Sequence, residues 1–178
     1  MCSHVEIIVG PMYSGKSTEL IRRCSTYESI DMDVIIINHK IDTRCGEEEV
    51  STHGKTTHKA MKTESLLDIK FEEIPDVIGI DEAQFFKDLK EFVLSMEKYK
   101  CIIIIAGLDG DYMRRPFGQI LECVPIANKI TKLTAMCSIC QDGTYASFTK
   151  KVDWSNEDLI SIGGKEKFIS VCRKHYNA

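Results

Sequence analysis

VEIIVGPMYSGKS, residues 5–17, decides the fold. An apolar, β-branched run ends in a glycine-rich turn, and an amphipathic segment follows. The second half, GPMYSGKS at 10–17, matches the phosphate-loop pattern G-x-x-x-x-G-K-[ST] in its strand–loop–helix setting. Gly10 and Gly15 let the backbone turn so that successive N–H groups point inward as a nest for phosphate oxygens. The start of the next helix adds its dipole. On this pattern Lys16 reaches the β- and γ-phosphates and the Ser17 hydroxyl ligates Mg²⁺.

Working outward, the first three quarters of the chain alternate between strand and helix patterns. Val5–Val9, Val34–Ile37, Val77–Ile80, Cys101–Ala106 and, more weakly, Lys129–Thr134 read as strands. Ser17–Ile30 reads as a helix burying Leu20, Ile21, Cys24 and Tyr27. A second helix carries Leu89, Phe92, Val93 and Met96, and a short third spans Phe117–Cys123 and stops near Pro125. Unbroken apolar strands separated by helices predict an α/β fold: a P-loop, mostly parallel sheet with helices on both faces. Ligands then bind beyond the carboxyl ends of the strands. The polar stretch His39–His58 has no period and reads as a long, mobile, functional loop. The alternation ends after Thr134, which predicts a domain over 1–134 and a small cysteine-rich subdomain over 135–178.

Length and charge exclude several classes. A chain of 178 residues suits one domain with a small appendage. A net charge of -4, with no basic run interleaved with aromatics, gives no reason to expect a nucleic-acid or membrane surface. The apolar run Cys101–Gly107 is too short to span a bilayer. With only Met1–His4 before the first strand, no signal peptide is expected, which predicts a reducing, cytoplasmic location. There the eight cysteines are metal ligands or buried thiols rather than disulfides. Cys24, Cys101 and Cys123 sit in apolar patterns and are expected in the core, while Cys2 and Cys45 lack any pairing.

Two further clusters carry chemistry. VIGIDE at 77–82 is a buried strand ending in two acids. Asp81 fits the acid that helps hold Mg²⁺ at the end of a neighbouring strand, and Glu82 beside it suits a general base for a hydroxyl or a water. Water would make an ATPase, a substrate hydroxyl a kinase. Cys137-x-x-Cys140 and Cys172-x-x-His175 supply a closed tetrahedral ligand set in which thiolates favour Zn²⁺. Closing the 31 residues between the pairs costs roughly 3 kcal/mol. Structural zinc supplies on the order of 10 kcal/mol, so a metal can staple this loop. A full ligand set leaves no open position, which makes the role structural.

GPMYSGKSTELIRR at 10–23, DTR at 42–44, VIGIDEAQFF at 77–86, LDGDYMRRPFG at 108–118, KLTAMCSIC at 132–140 and IGG…SVCRKH at 162–175 together resemble the type II thymidine kinases, in that family's order. The resemblance implies phosphoryl transfer from ATP to the 5′-hydroxyl of thymidine by a homotetramer that needs Mg²⁺ and structural Zn²⁺. It assigns donor binding to Gly10, Pro11, Met12, Tyr13, Ser14, Gly15, Lys16 and Ser17, to Asp42, Thr43 and Arg44, and to Asp81, Glu82, Ala83 and Gln84. Glu82 corresponds to the proton acceptor, with Lys16 and Arg44 beside the transferring group. For the nucleoside it points to Tyr112, to Leu159, Ile160, Ser161, Ile162 and Gly163, and to Phe168. Met12, Phe85, Leu108, Phe117 and Thr149 are pocket neighbours. The stapled loop is then a lasso over the base. Family members often carry glycine at Ala83 and tyrosine at Phe168, and some carry cysteine at His175, where histidine also occurs. Two other functions fit parts of the pattern. One is an ATPase whose zinc element grips nucleic acid. The other is a kinase of another nucleoside or of a nucleoside monophosphate, whose phosphate Arg114 and Arg115 would clamp.

Overall fold

A computed structural model describes residues 3–42, 49–51, 57–152 and 167–178. Six parallel strands form the sheet: β1 (His4–Val9), β2 (Val34–His39), β5 (Met61–Thr63), β6 (Val77–Ile80), β7 (Ile102–Gly107) and β8 (Lys129–Lys132), in the order β5-β2-β6-β7-β1-β8. Helix α1 (Lys16–Glu28) covers one face and α2 (Leu89–Met96) the other. Period-two alternation splits each strand between them. Val5, Ile7, Val9, Ile103 and Ile105 pack with Phe92, Val93 and Met96 of α2. Ile8, Ile102, Ile104 and Ala106 pack with Leu20, Ile21 and Cys24 of α1. A strand covered on both sides must be apolar at nearly every position, which explains the long apolar runs. Each fully buried isoleucine contributes about 1.5–3 kcal/mol.

The expected thiols are core groups: Cys24, Cys101 and Cys123 are buried, and burial pushes the Cys24 thiol up to about 12. One buried charge interrupts the helix stripe. Arg23, beside Cys24, reaches across to Glu6 of β1 and also bonds Glu19 and Thr131. Removing one partner would strand a buried charge. Tyr27 is only half-buried.

Two expectations change, and one strand is added. The third helix is a 3₁₀ turn over Ile120–Ile126 that contains Pro125, not a helix beginning at Phe117. Gly118, with φ of 61°, breaks the chain before it, and a Cβ there would run into the Gln84 carbonyl. Gly118→Ala is expected to cost about 1–3 kcal/mol, readable as a lower Tm by calorimetry. Within 39–58 the structure has an antiparallel pair, β3 (Glu49–Ser51) and β4 (Thr57–Lys59), with Val50 opposite His58. The edge strand β5 follows, too short to show a sequence period. Residues 43–48 and 52–56 lie outside the described residues.

After β8 come small antiparallel pairs: β9 (Ala135–Met136) with β10 (Tyr145–Ala146), and β11 (Phe148–Lys151) with β12 (Phe168–Val171). The short helix α3 (Arg173–Asn177) ends the chain. Their own core is Ala135, Cys137, Ala146, Val171 and Cys172. Among the described residues, no helix is long and apolar enough to cross a membrane.

Candidate active site and metal centre

Because the sheet is parallel, the segments after β1, β2, β6 and β7 all leave from one edge. Gly10–Ser17, Asp42, Asp81–Glu82 and Leu108–Phe117 gather there, at the carboxyl ends where α/β proteins bind ligands. Asp81 does not end a strand adjacent to β1, because β7 lies between β6 and β1. Two strand spacings, about 10 Å, therefore separate the acids from the phosphate loop at sheet level. That gap has room for phosphates and an ion.

The loop is held from several sides. A Cβ on Gly10 would stand 2.5 Å from the Leu133 carbonyl oxygen and 2.8 Å from Ser14 Oγ, so only glycine allows this approach. Lys16 Nζ donates to the Pro11 carbonyl at 2.7 Å, folding the ammonium over the loop. Ser14 Oγ is buried against Gly10 with no hydrogen-bond partner among the described residues, an orphaned polar atom within the loop. Ser17 is the second residue of α1, where main-chain N–H groups lack helical partners.

Glu82 sits in a left-handed conformation with φ of 49°, uncommon outside glycine. Its N–H donates to Asp81 Oδ1 at 2.9 Å, and Asp81 is buried. Gln84, also buried, donates from Nε2 to Glu82 Oε2 at 2.6 Å and accepts the Leu108 N–H on Oε1 at 2.9 Å. One amide thus fixes the carboxylate against the end of β7. Ala83 is fully buried, so its methyl is part of the packing under this turn. Asp42 is buried and accepts from Asn38 Nδ2 at 3.1 Å, while its carbonyl takes Lys62 Nζ.

Aromatic rings line the neighbouring space. Phe85 and Phe117 meet edge to face at 5.6 Å, and His39 packs on Phe85 and Phe86. Burial lowers the His39 pKa below its ordinary value, against the opposing pull of Glu64 and Asp88. Tyr112 lies 6.2 Å from Phe168, whose side chain is buried. Leu108 and Met12 are half-buried. Thr149 is buried, and its Oγ1 accepts the Met12 N–H at 3.0 Å. Thr43, Arg44, Leu159, Ile160, Ser161, Ile162 and Gly163 lie outside the described residues.

Several residues here carried no motif. Lys151 is buried opposite Phe168, with its ammonium 5.2 Å from the Tyr112 ring centre. Alternation could have found it, since Thr149 and Lys151 share a strand face and a lysine facing inward is anomalous. Asp111 is buried and accepts from the Met113 and Arg115 N–H groups and from Arg115 Nε, which shapes the 108–118 turn. Its Asx-type spacing was readable. Tyr176 donates to the Tyr112 carbonyl at 2.7 Å and stacks under Arg114 at 4.2 Å, a contact with no sequence signal. Arg114 is thus occupied against Tyr176 and Arg115 against Asp111.

The four expected metal ligands converge. Cys137, Cys140, Cys172 and His175 place their ligand atoms within 4.8 Å of one another. Tetrahedral zinc with ordinary bond lengths would hold two sulfurs about 3.8 Å apart, and a sulfur and a nitrogen about 3.5 Å apart. Cys140 and Cys172 are separated by 3.8 Å, and His175 Nδ1 stands 3.5, 3.3 and 3.5 Å from the three sulfurs. The set therefore fits a closed tetrahedral ion. Burial pushes the Cys137 thiol up, yet main-chain N–H groups of Cys140, Cys172 and Ile139 outweigh it and hold it down to about 5. Burial and the adjoining Cys137 sulfur push Cys140 up to about 11. A bound cation would stabilise the deprotonated form of its sulfur ligands.

Comparison with known proteins follows the same lines. The family model described as thymidine kinase matches residues 3–176. The thymidine kinase of Yaba monkey tumor virus (strain VR587) is 44% identical over 174 residues, covering 97% of this chain and 94% of that protein. Those of Monkeypox virus and of Vaccinia virus (strain Ankara) are each 43% identical over 175 residues, covering 97% of this chain and 96% of theirs. A match from residue 3 to residue 176, with relatives this similar over nearly their whole lengths, shows that the chain belongs to the thymidine kinase family.

Proposed function

We propose that the chain transfers the γ-phosphoryl group of ATP to the 5′-hydroxyl of thymidine, giving thymidine monophosphate and ADP. The observation that carries this reading is Glu82, held by Gln84 on the same sheet edge as the phosphate loop and two strand spacings from it. A base there faces an acceptor rather than the loop itself. The thymidine kinase relatives support the choice of substrate.

In this mechanism the loop Gly10–Ser17 cradles the donor phosphates and Lys16 turns from Pro11 onto the β- and γ-oxygens. Ser17 and Asp81 would hold Mg²⁺, which when bound neutralises charge on those oxygens. Asp42, Thr43, Ala83 and Gln84 complete the donor side, and Arg44 meets the equatorial oxygens of the transferring group. Glu82 takes the proton of the 5′-hydroxyl as its oxygen bonds to the γ-phosphorus, and the bond from phosphorus to the ADP oxygen breaks in line. Tyr112, Phe168, Phe85, Phe117, Leu108, Met12 and Thr149 surround the nucleoside. Main-chain groups of Leu159–Gly163 read the base.

Residues 1–134 act as the P-loop domain and 135–178 as the lasso subdomain, pinned by Zn²⁺ on Cys137, Cys140, Cys172 and His175. The ligand spacing supports zinc. A working homotetramer in a reducing cytoplasm completes the proposal, and the free thiols at Cys24, Cys101 and Cys123 support that compartment. Light scattering at the mass of four chains checks the assembly.

One assay tests the reading: purified protein, ATP, Mg²⁺ and a panel of nucleosides, nucleoside monophosphates and DNA. Thymidine is expected to give monophosphate. ATP hydrolysis that needs DNA and ignores thymidine would overturn the proposal, as would phosphorylation confined to a nucleoside monophosphate.

A further inference from the structure

The phosphate loop is tied to the zinc-side hairpin at two consecutive residues. Met12 N donates to Thr149 Oγ1 at 3.0 Å, and the Tyr13 hydroxyl donates to the Phe168 carbonyl at 3.3 Å. Thr149 and Phe168 stand on the paired strands β11 and β12. Tyr13 holds φ of 64°, a left-handed conformation that a bulky residue leaves unless its surroundings over-determine it. The two bonds act where the loop needs that constraint. The Met12 bond fixes the Pro11–Met12 peptide plane, one residue before Tyr13, and the phenol bond anchors the Tyr13 side chain.

The hairpin in turn rests on the metal ligands. Strand β12 ends at Val171, next to Cys172, and Val171, Cys172 and Cys137 share one small core with the half-buried rings of Tyr13 and Phe148. The chain of contacts therefore runs from the cysteine–histidine cluster through β11–β12 to the residues that shape the loop.

We infer that the Thr149 and Tyr13 hydroxyls are positioning groups for triphosphate binding, and that the metal centre sets the affinity for the nucleotide as well as for the nucleoside. The inference rests on reading Gly10–Ser17 as the phosphate-binding loop. It adds that the two substrate sites are coupled. By linkage, any factor by which a bound nucleoside, acting through the hairpin, tightens nucleotide binding is the factor by which the nucleotide tightens nucleoside binding.

The test is ADP affinity by titration calorimetry, with no thymidine present, so that chemistry and nucleoside binding do not enter. Tyr13→Phe keeps the ring and loses one bond. Thr149→Val keeps the shape and loses the other, and Thr149→Ser restores the hydroxyl. The two losses together are expected to weaken ADP about tenfold, equivalent to about 1.4 kcal/mol, with Thr149→Ser near the unaltered protein. Stripping the metal with a chelator is expected to weaken ADP at least as much. Melting curves without ligand show that each variant is folded, and Tyr13→Phe serves alone if the threonine variant is not. ADP affinity unchanged in a folded variant lacking a bond, or in metal-free protein, overturns the inference while leaving the loop reading intact. Failure of the unaltered protein to bind ADP overturns the loop reading, and the inference with it.

Discussion

Glu82→Gln is expected to lower turnover by about 10²–10⁴-fold, the usual contribution of a general base. The substitution keeps the side chain's size and leaves an amide oxygen for Gln84 Nε2, which bonds Glu82 Oε2 at 2.6 Å in the native turn. The left-handed backbone at this position is also unchanged, because neither residue is glycine. ADP and thymidine affinities should therefore stay close to their native values while the chemical step slows. The fall should appear in kcat rather than in KM, since the lost interaction is one made only as the proton moves. Turnover near the native rate removes Glu82 from the proposed role. A loss of nucleotide affinity of the same size would instead mark Glu82 as a binding group.

Loss of the metal should produce the second large effect. Structural zinc contributes on the order of 10 kcal/mol to small metal-dependent folds. The core around it here is only five buried residues, three of them aliphatic and two of them ligands themselves. Cys172→Ala, or a strong chelator, is expected to release the bound metal and abolish thymidine binding. The six-stranded sheet has its own core and should keep its circular dichroism signal. Thymidine binding at full strength in a protein shown by elemental analysis to be metal-free would rule out the staple. The effect should also rise with acidity, because protons compete with the metal for the sulfurs and the imidazole.

Both effects involve residues that local sequence patterns name. The phosphate loop is legible because it requires glycines, a lysine and a hydroxyl at fixed spacing in one continuous segment. The cysteine and histidine pairs are legible for a similar reason, since each pair bites one ion from one turn. Asp81 and Glu82 are legible as acids closing a buried strand. Other contributions to the same site carry no local signal. Gln84 is one polar residue in DEAQFF, and its bridge from Glu82 to the Leu108 N–H joins segments 24 residues apart. The Tyr176 bond to the Tyr112 carbonyl and the Met12 bond to Thr149 join segments 64 and 137 residues apart. Lys151 was legible only through the alternation that puts it on the face of Thr149, in a strand of four residues.

The fold divides in the same way. Largely apolar strands and the stripe Leu20, Ile21 and Cys24 determine from sequence alone that a two-faced, helix-covered sheet forms, because burial on both faces demands apolar side chains at most strand positions. Sequence does not set the order of the strands, since each run is equally greasy and could sit beside any other. Only tertiary packing put β7 between β6 and β1 and so fixed the gap between the phosphate loop and Glu82. It likewise decided that the buried stripe of α1 would carry Arg23, because the charge is tolerable only where Glu6 of β1 arrives to meet it. Composition and spacing chose the chemical groups, and long-range packing chose their distances, because contacts across the sheet depend on partners that no local window contains.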